Sequence, residues 1–173
     1  MPELRSPTEP PLAVDISLSI VPVEDVVFDT FRDGFVRLSE ADAGTIGALR
    51  GLIKPIYEPK YDPAKKGDWM RDTDLVIGYV GPESGNAFSY TVKMLNLHEI
   101  VNDVIDRRPV LISYCPLRAS GAVYDRELAG EVLLFGNTSA LYQPDLVMYD
   151  YQPGSTGFRY WVRPSLGLCL ASA

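Results

Sequence analysis

The chain contains one histidine, His98, and two cysteines, Cys115 and Cys169. His98 and Cys115 lie in two runs rich in β-branched residues, on either side of Asp106-Arg107. If that dipeptide forms a two-residue turn, Ile105 faces Arg108, and counting back along both strands sets His98 opposite Cys115. Directly opposed residues have β-carbons about 4.5–5.5 Å apart, so an imidazole would meet a thiol. Three readings of the pair stand side by side. The imidazole could draw a proton from Cys115 and leave a thiolate nucleophile. His98, Cys115 and Glu99 could ligate a soft or borderline transition metal, with Asp103 or Met148 nearby. Or both could be ordinary buried residues, the imidazole satisfied by a backbone carbonyl. His98-Glu99 opens like a His-Glu-x-x-His zinc site, but position 102 is Asn and no second histidine exists. The same shortage excludes a Rieske-type cluster within the chain.

Other polar residues have plainer readings. Tyr57, Tyr61, Tyr79, Tyr90, Tyr114, Tyr124, Tyr142, Tyr149 and Tyr151 could line a groove, although aromatics on strands mostly pack. Asp125-Arg126 and Asp150, each just after a strand aromatic, suit an ion pair or a turn cap better than acid–base chemistry. Gly136-Asn137-Thr138-Ser139 could hold an anion on its amides. It lacks a phosphate-loop lysine and reads as a turn.

The elements that would position these residues are mostly strands. Residues 1–22 are rich in proline and read as an extended arm. Val23 to Phe35 suggests one or two short strands around Asp33-Gly34. Ser39 is placed to cap a helix that runs to Ile53, with Ile46, Leu49, Leu52 and Ile53 on one face and Pro55 as its stop. Ile56 to Thr73 reads as a loop, either a functional flap or a surface meander. Strands are expected at Leu75–Val80, Ala87–Met94, Val110–Tyr114 and Leu146–Tyr151. Ala122–Leu128 and Glu131–Phe135 should form a hairpin around Ala129-Gly130. The fold class is α+β, mainly β: a largely antiparallel sheet with one or two helices, in a single domain over residues 23–152.

Composition bounds the function. A chain of 173 residues, 46% hydrophobic and 23% charged, can bury a core without metal or disulfide staples. Its net charge of −7 disfavours nucleic acid and anionic membrane surfaces. No apolar run reaches the ~20 residues of a membrane span, and the start lacks the order of a secretory signal. As written, the chain reads as cytoplasmic. Two cysteines make no disulfide framework.

Several uncommon words occur together: His98-Glu99-Ile100-Val101-Asn102-Asp103, Tyr114-Cys115-Pro116-Leu117, Val123-Tyr124-Asp125-Arg126, Phe135-Gly136-Asn137-Thr138-Ser139 and Leu146-Val147-Met148-Tyr149-Asp150. With Val26–Arg32 and Pro55–Pro59 upstream, they resemble the family catalogued as domain of unknown function 3179, over roughly Ile20 to Gln152. The resemblance implies a bacterial or archaeal source and relatives that are often exported or lipid-anchored. It implies no established activity. Family members usually read Cys-Pro-Leu-Cys where this chain has Arg118 in the last place, so half of a dithiol or metal clamp is missing. Residues 153–173 also depart from the family, and 154–173 contain no acidic residue. The tail reads as the product of a frameshift or truncation, which would leave a sheet edge unpaired.

Two functions follow as expectations. One is a residual thiol or metal site: Cys115 as nucleophile or ligand, His98 as base or ligand, Glu99 or Asp103 as an orienting carboxylate, and Arg118 as an electrostatic helper. The other is a non-catalytic binding or scaffold domain in which the hairpin is only structural.

Overall fold

A computed structural model describes residues 21–49, 52–143, 145–151, 158–162 and 167–171. The proline-rich arm, apart from residues 21 and 22, lies outside them. The chain divides into two compact units, residues 1–54 with 133–173, and residues 55–132.

The first unit is built on a six-stranded sheet. Its strands are β1 (Val26–Asp29), β2 (Phe35–Arg37), β11 (Leu134–Tyr142), β12 (Asp145–Tyr151), β13 (Phe158–Val162) and β14 (Gly167–Ala171). Their spatial order is β14-β13-β12-β11-β1-β2, and every neighbour is antiparallel. Val26, Phe28, Ala140, Val147 and Tyr149 bury one face against Leu38, Ile46 and Leu49. The tail thus contributes two strands, and β13 takes up the edge of β12 that a truncated tail was expected to leave bare.

The helix in this unit, α1 (Ala43–Leu49), is shorter than the sequence predicts and starts later. Leu38 to Glu40 first turn the chain, with Glu40 and Ala41 both donating to the Arg37 carbonyl. The cap is therefore Asp42, whose Oδ1 accepts from the Thr45 amide at 2.7 Å, and that bond holds its carboxyl below the ordinary 3.8.

Gly136 to Ser139, expected as a turn, lies inside β11 with a register shift between Asn137 and Ala140. The bulge is stable in a buried strand because its own side chains satisfy it. Asn137 Oδ1 accepts from the Ser139 amide at 2.6 Å, Thr138 Oγ1 accepts from the Ala140 amide at 2.9 Å and donates to the Val147 carbonyl, and Ser139 Oγ donates to the Leu49 carbonyl at 2.8 Å. Gly136 is required nearby, since a Cβ there would lie 2.1 Å from Cζ of the Tyr149 ring.

The second unit carries a four-stranded sheet in the order β3 (Ile56–Tyr57), β6 (Ile100–Ile105), β7 (Arg108–Cys115) and β8 (Ser120–Asp125). Only the β3–β6 pair is parallel. The hairpin β4 (Val76–Val80) and β5 (Ala87–Thr91), the helix α2 (Val92–His98) and a small hairpin of β9 (Glu127–Leu128) and β10 (Glu131–Val132) complete it. Tyr90, Leu95, Val101, Ile105, Val110, Ile112 and Tyr114 form its apolar core, with Ile77, Phe88 and Met94 against them. Leu95, Val101 and Ile112 are fully buried, each stabilising the unit by about 1.5–3 kcal/mol.

The β6–β7 turn is the two-residue turn expected, with Asp106 at φ 49° and Arg107 at φ 65°. Asp106 tolerates the left-handed region and uses its side chain at once. Its Oδ2 accepts from the Glu83 amide (3.0 Å), the Ser84 amide (2.8 Å) and the Ser84 hydroxyl (3.0 Å), tying this turn to the β4–β5 turn. Those bonds, led by the Ser84 amide, hold the Asp106 carboxyl below its ordinary 3.8. A depressed carboxylate contributes stability that is complete above 3.8 and is lost as pH falls through the lower folded value. Acid unfolding followed by circular dichroism is therefore expected to be less steep in Asp106→Asn than in the native chain.

Candidate functional site

The β6–β7 ladder has the predicted register, from Ile105 opposite Arg108 back to Ile100 opposite Ser113. The pairing of His98 with Cys115 does not follow from it, because the strand does not reach back that far. Thr91, expected within a strand, caps α2 instead, its Oγ1 accepting from the Met94 amide at 3.3 Å. Val92 to His98 then wind into a helix that buries Leu95 in the core. His98 is its last residue, and Glu99, at φ 58°, caps it by donating its amide to the Leu95 carbonyl. The ladder proper begins at Ile100, with the Glu99 carbonyl accepting from the Tyr114 amide.

Cys115 ends β7, opposite Ser120 of β8, and is 2% exposed. By strand alternation it shares a face with Asn102, Leu111 and Ser113, all fully buried. Arg118 follows on a single 3-10 turn and is exposed. Among the described residues, no three His, Cys, Asp or Glu side chains come together as a metal-ligand group.

The opposite face of the same hairpin holds a different polar centre. Asp103 lies on β6 among Val101, Ile105, Val110 and Ile112, and is 5% exposed. Its Oδ2 accepts from the Tyr90 hydroxyl at 2.6 Å and from the Tyr61 hydroxyl, and the two phenol oxygens are 2.6 Å apart. Its Oδ1 accepts from the Val104 amide at 2.7 Å. Tyr90 comes from β5 and is 2% exposed; Tyr61 comes from the loop after β3 and is 42% exposed. The Tyr61 ring meets Phe88 edge-on at 5.0 Å and Tyr90 at 6.0 Å.

Arg126 closes the arrangement. It is 1% exposed, and its guanidinium donates to the carbonyls of Val110 (3.0 Å) and Asp103 (2.9 Å). Burial pulls it down to about 10, while the carboxylates of Asp103 and Asp125 hold it up, so it is charged at neutral pH. Burial first, then the Asp103 carboxylate, push both phenols above the ordinary 10, and each remains a donor. A buried carboxylate and two phenols therefore meet inside an apolar core, and a buried guanidinium holds the main chain of the same carboxylate. The arrangement can accept hydrogen bonds from a donor at its open side, where Tyr61 sits.

The sequence named each of these residues separately: Asp103 as an orienting carboxylate, Tyr61 and Tyr90 among groove aromatics, Arg126 as half of a turn pair. Their convergence needed the topology, since β5 and the loop after β3 are remote in sequence from β6.

No helix of the described residues is long and apolar enough to cross a membrane. The family model described as "Protein of unknown function (DUF3179)" matches residues 50–163. Neither the curated proteins nor the solved structures yield a match. The matched span covers more than half of the chain and includes the hairpin, α2, Asp103 and Arg126, so the chain belongs to the DUF3179 family.

Proposed function

We infer that the domain works as a non-catalytic binding or scaffold module in which the β6–β7 hairpin is structural. The observation that carries this reading is the burial of Cys115, at 2% exposure, between β6 and β8. A thiol that attacks a substrate must be reachable and must sit where its thiolate is favoured. A thiol on a closed sheet face behaves as a small hydrophobe. Replacement of the second family cysteine by Arg118 supports the same reading, because a lone thiol cannot cycle to a disulfide within the motif. The polar centre around Asp103 supports binding more than turnover: its protons are held on phenols well above neutral pH and its carboxylate is already engaged. Elemental analysis of freshly purified protein is expected to find no stoichiometric transition metal in either the native chain or Cys115→Ala. A metal present at one equivalent and lost in the variant would replace this reading with a site at His98 and Cys115.

A further inference from the structure

Residues 59–73 cross the second unit with little to hold them. From Lys60 to Thr73 only Gly67 and Met70 are even half-buried. Their polar contacts stay local: Lys66 with Asp62, amide bonds at Lys66, Gly67 and Met70 within the segment, and Arg71 with Asp74. Tyr61 is the exception. Its hydroxyl reaches Tyr90 and Asp103, and its ring rests on Phe88 and Tyr90. The ends are fixed independently: Ile56 and Tyr57 pair with β6, the Glu58 amide donates to the Asn102 carbonyl at 3.1 Å, and Asp74 is paired with Lys93. A loop clamped at both ends and held between them by one side chain is built to open.

The Tyr61 phenol fills a seat with defined chemistry, and a recess would open there if the side chain left. The rings of Phe88 and Tyr90 flank it, its acceptor is Asp103 Oδ2, and Arg126, from the link between β8 and β9, donates to the Asp103 carbonyl. It is shaped for a phenol because it holds one. The recess reaches the surface, since Tyr61 is 42% exposed.

We propose that residues 59–73 form a flap latched by Tyr61, and that the recess under the latch is a binding site for a small phenol, which takes the place of the Tyr61 side chain. This rests on reading the domain as a binding module, and it names the site and the class of ligand.

Trypsin tests the latch, because the flap carries Lys60, Lys65, Lys66 and Arg71. Removing one hydroxyl that donates to a charged acceptor should raise the open population about tenfold, and cleavage follows that population when closing is fast. Tyr61→Phe is expected to be cut in the flap about ten times faster than the native chain, with cleavage elsewhere unchanged. Equal rates would overturn the latch. The recess is tested with p-cresol, the free counterpart of the tyrosine side chain. Saturable binding to Tyr61→Ala by calorimetry, at least tenfold weaker in the native chain and in Tyr61→Ala/Tyr90→Phe, is expected. No binding to a folded Tyr61→Ala, or equal binding to all three, would overturn the ligand site. Should Tyr61→Ala not fold, the same titration on Tyr61→Phe, read as p-cresol-dependent flap cleavage, decides it: cleavage that rises with p-cresol supports the recess, and cleavage that does not move rejects it. A metal bound through Cys115 would end the reading of the domain as a binding module and leave both flap results standing.

Discussion

Asp103→Ala is expected to destabilise the protein by about 3–5 kcal/mol, the cost of removing one partner from a buried charged network. Asp103 is 5% exposed and serves three donors: the Tyr90 and Tyr61 hydroxyls and the Val104 amide. Alanine would leave the Tyr90 hydroxyl in the core without its acceptor. It would also take away the carboxylate that does more to hold the Arg126 charge. Against a total of about 5–15 kcal/mol, such a loss is a large fraction of the whole. Urea unfolding should show it as a lower midpoint with little change in slope. Asp103→Asn keeps an acceptor for Tyr90 but not the charge, so its loss should be smaller. If the two variants were equally and mildly affected, below about 1 kcal/mol, the network would be solvated and the burial argument wrong.

Arg126→Ala should cost a similar amount, about 3–5 kcal/mol, for different reasons. The side chain is among the largest that are fully buried. Its removal leaves the Val110 and Asp103 carbonyls short of their donors and opens a cavity in the second unit. Arg126→Met would refill much of the volume without restoring the donors, so the difference between the two variants separates packing from polar satisfaction. Because Arg126 and Asp103 interact, Asp103→Asn combined with Arg126→Met should lose less than the sum of the single losses, measured as a double-mutant cycle.

Much of the sheet was legible in the sequence because strand signals are local. The turns at Asp106-Arg107, Ala129-Gly130 and Gly81–Gly85 fall where alternating runs break, and the register of β6 on β7 followed from the first of them. What was not legible were the places where a side chain rewrites the local rule. Val92, Met94, Leu95 and Leu97 continue the apolar run of a strand, yet Thr91 caps a helix there and Leu95 fills the core. Asn137, Thr138 and Ser139 look like turn residues, but they satisfy their own backbone and remain inside a strand. Ser39 was the apparent cap of α1, and Asp42 is the real one, because a turn at Leu38–Glu40 had to close β2 first.

The same contrast applies to the site. Hairpin register holds from Ile105 back to Ile100 and stops there, so Cys115 ends β7 opposite Ser120 while His98 belongs to the helix before β6. The Asp103 centre depends on which elements pack on one face of the hairpin, and that is decided by burial over long sequence separations. Tyr61, Tyr90, Asp103 and Arg126 carried no spacing that singled them out.

If the hairpin bearing Cys115 is structural, its thiol, 2% exposed, is out of reach of reagents in the folded protein. Thiol alkylation tests it most directly, on folded Cys169→Ser protein so that Cys115 alone reports. Cys115 is expected to react orders of magnitude more slowly than in the urea-unfolded chain, with a rate that follows global unfolding. Rapid modification of the folded protein, rising with pH through a midpoint well below the ordinary thiol value of about 8.5, would contradict it and restore His98 and Cys115 as the chemical centre.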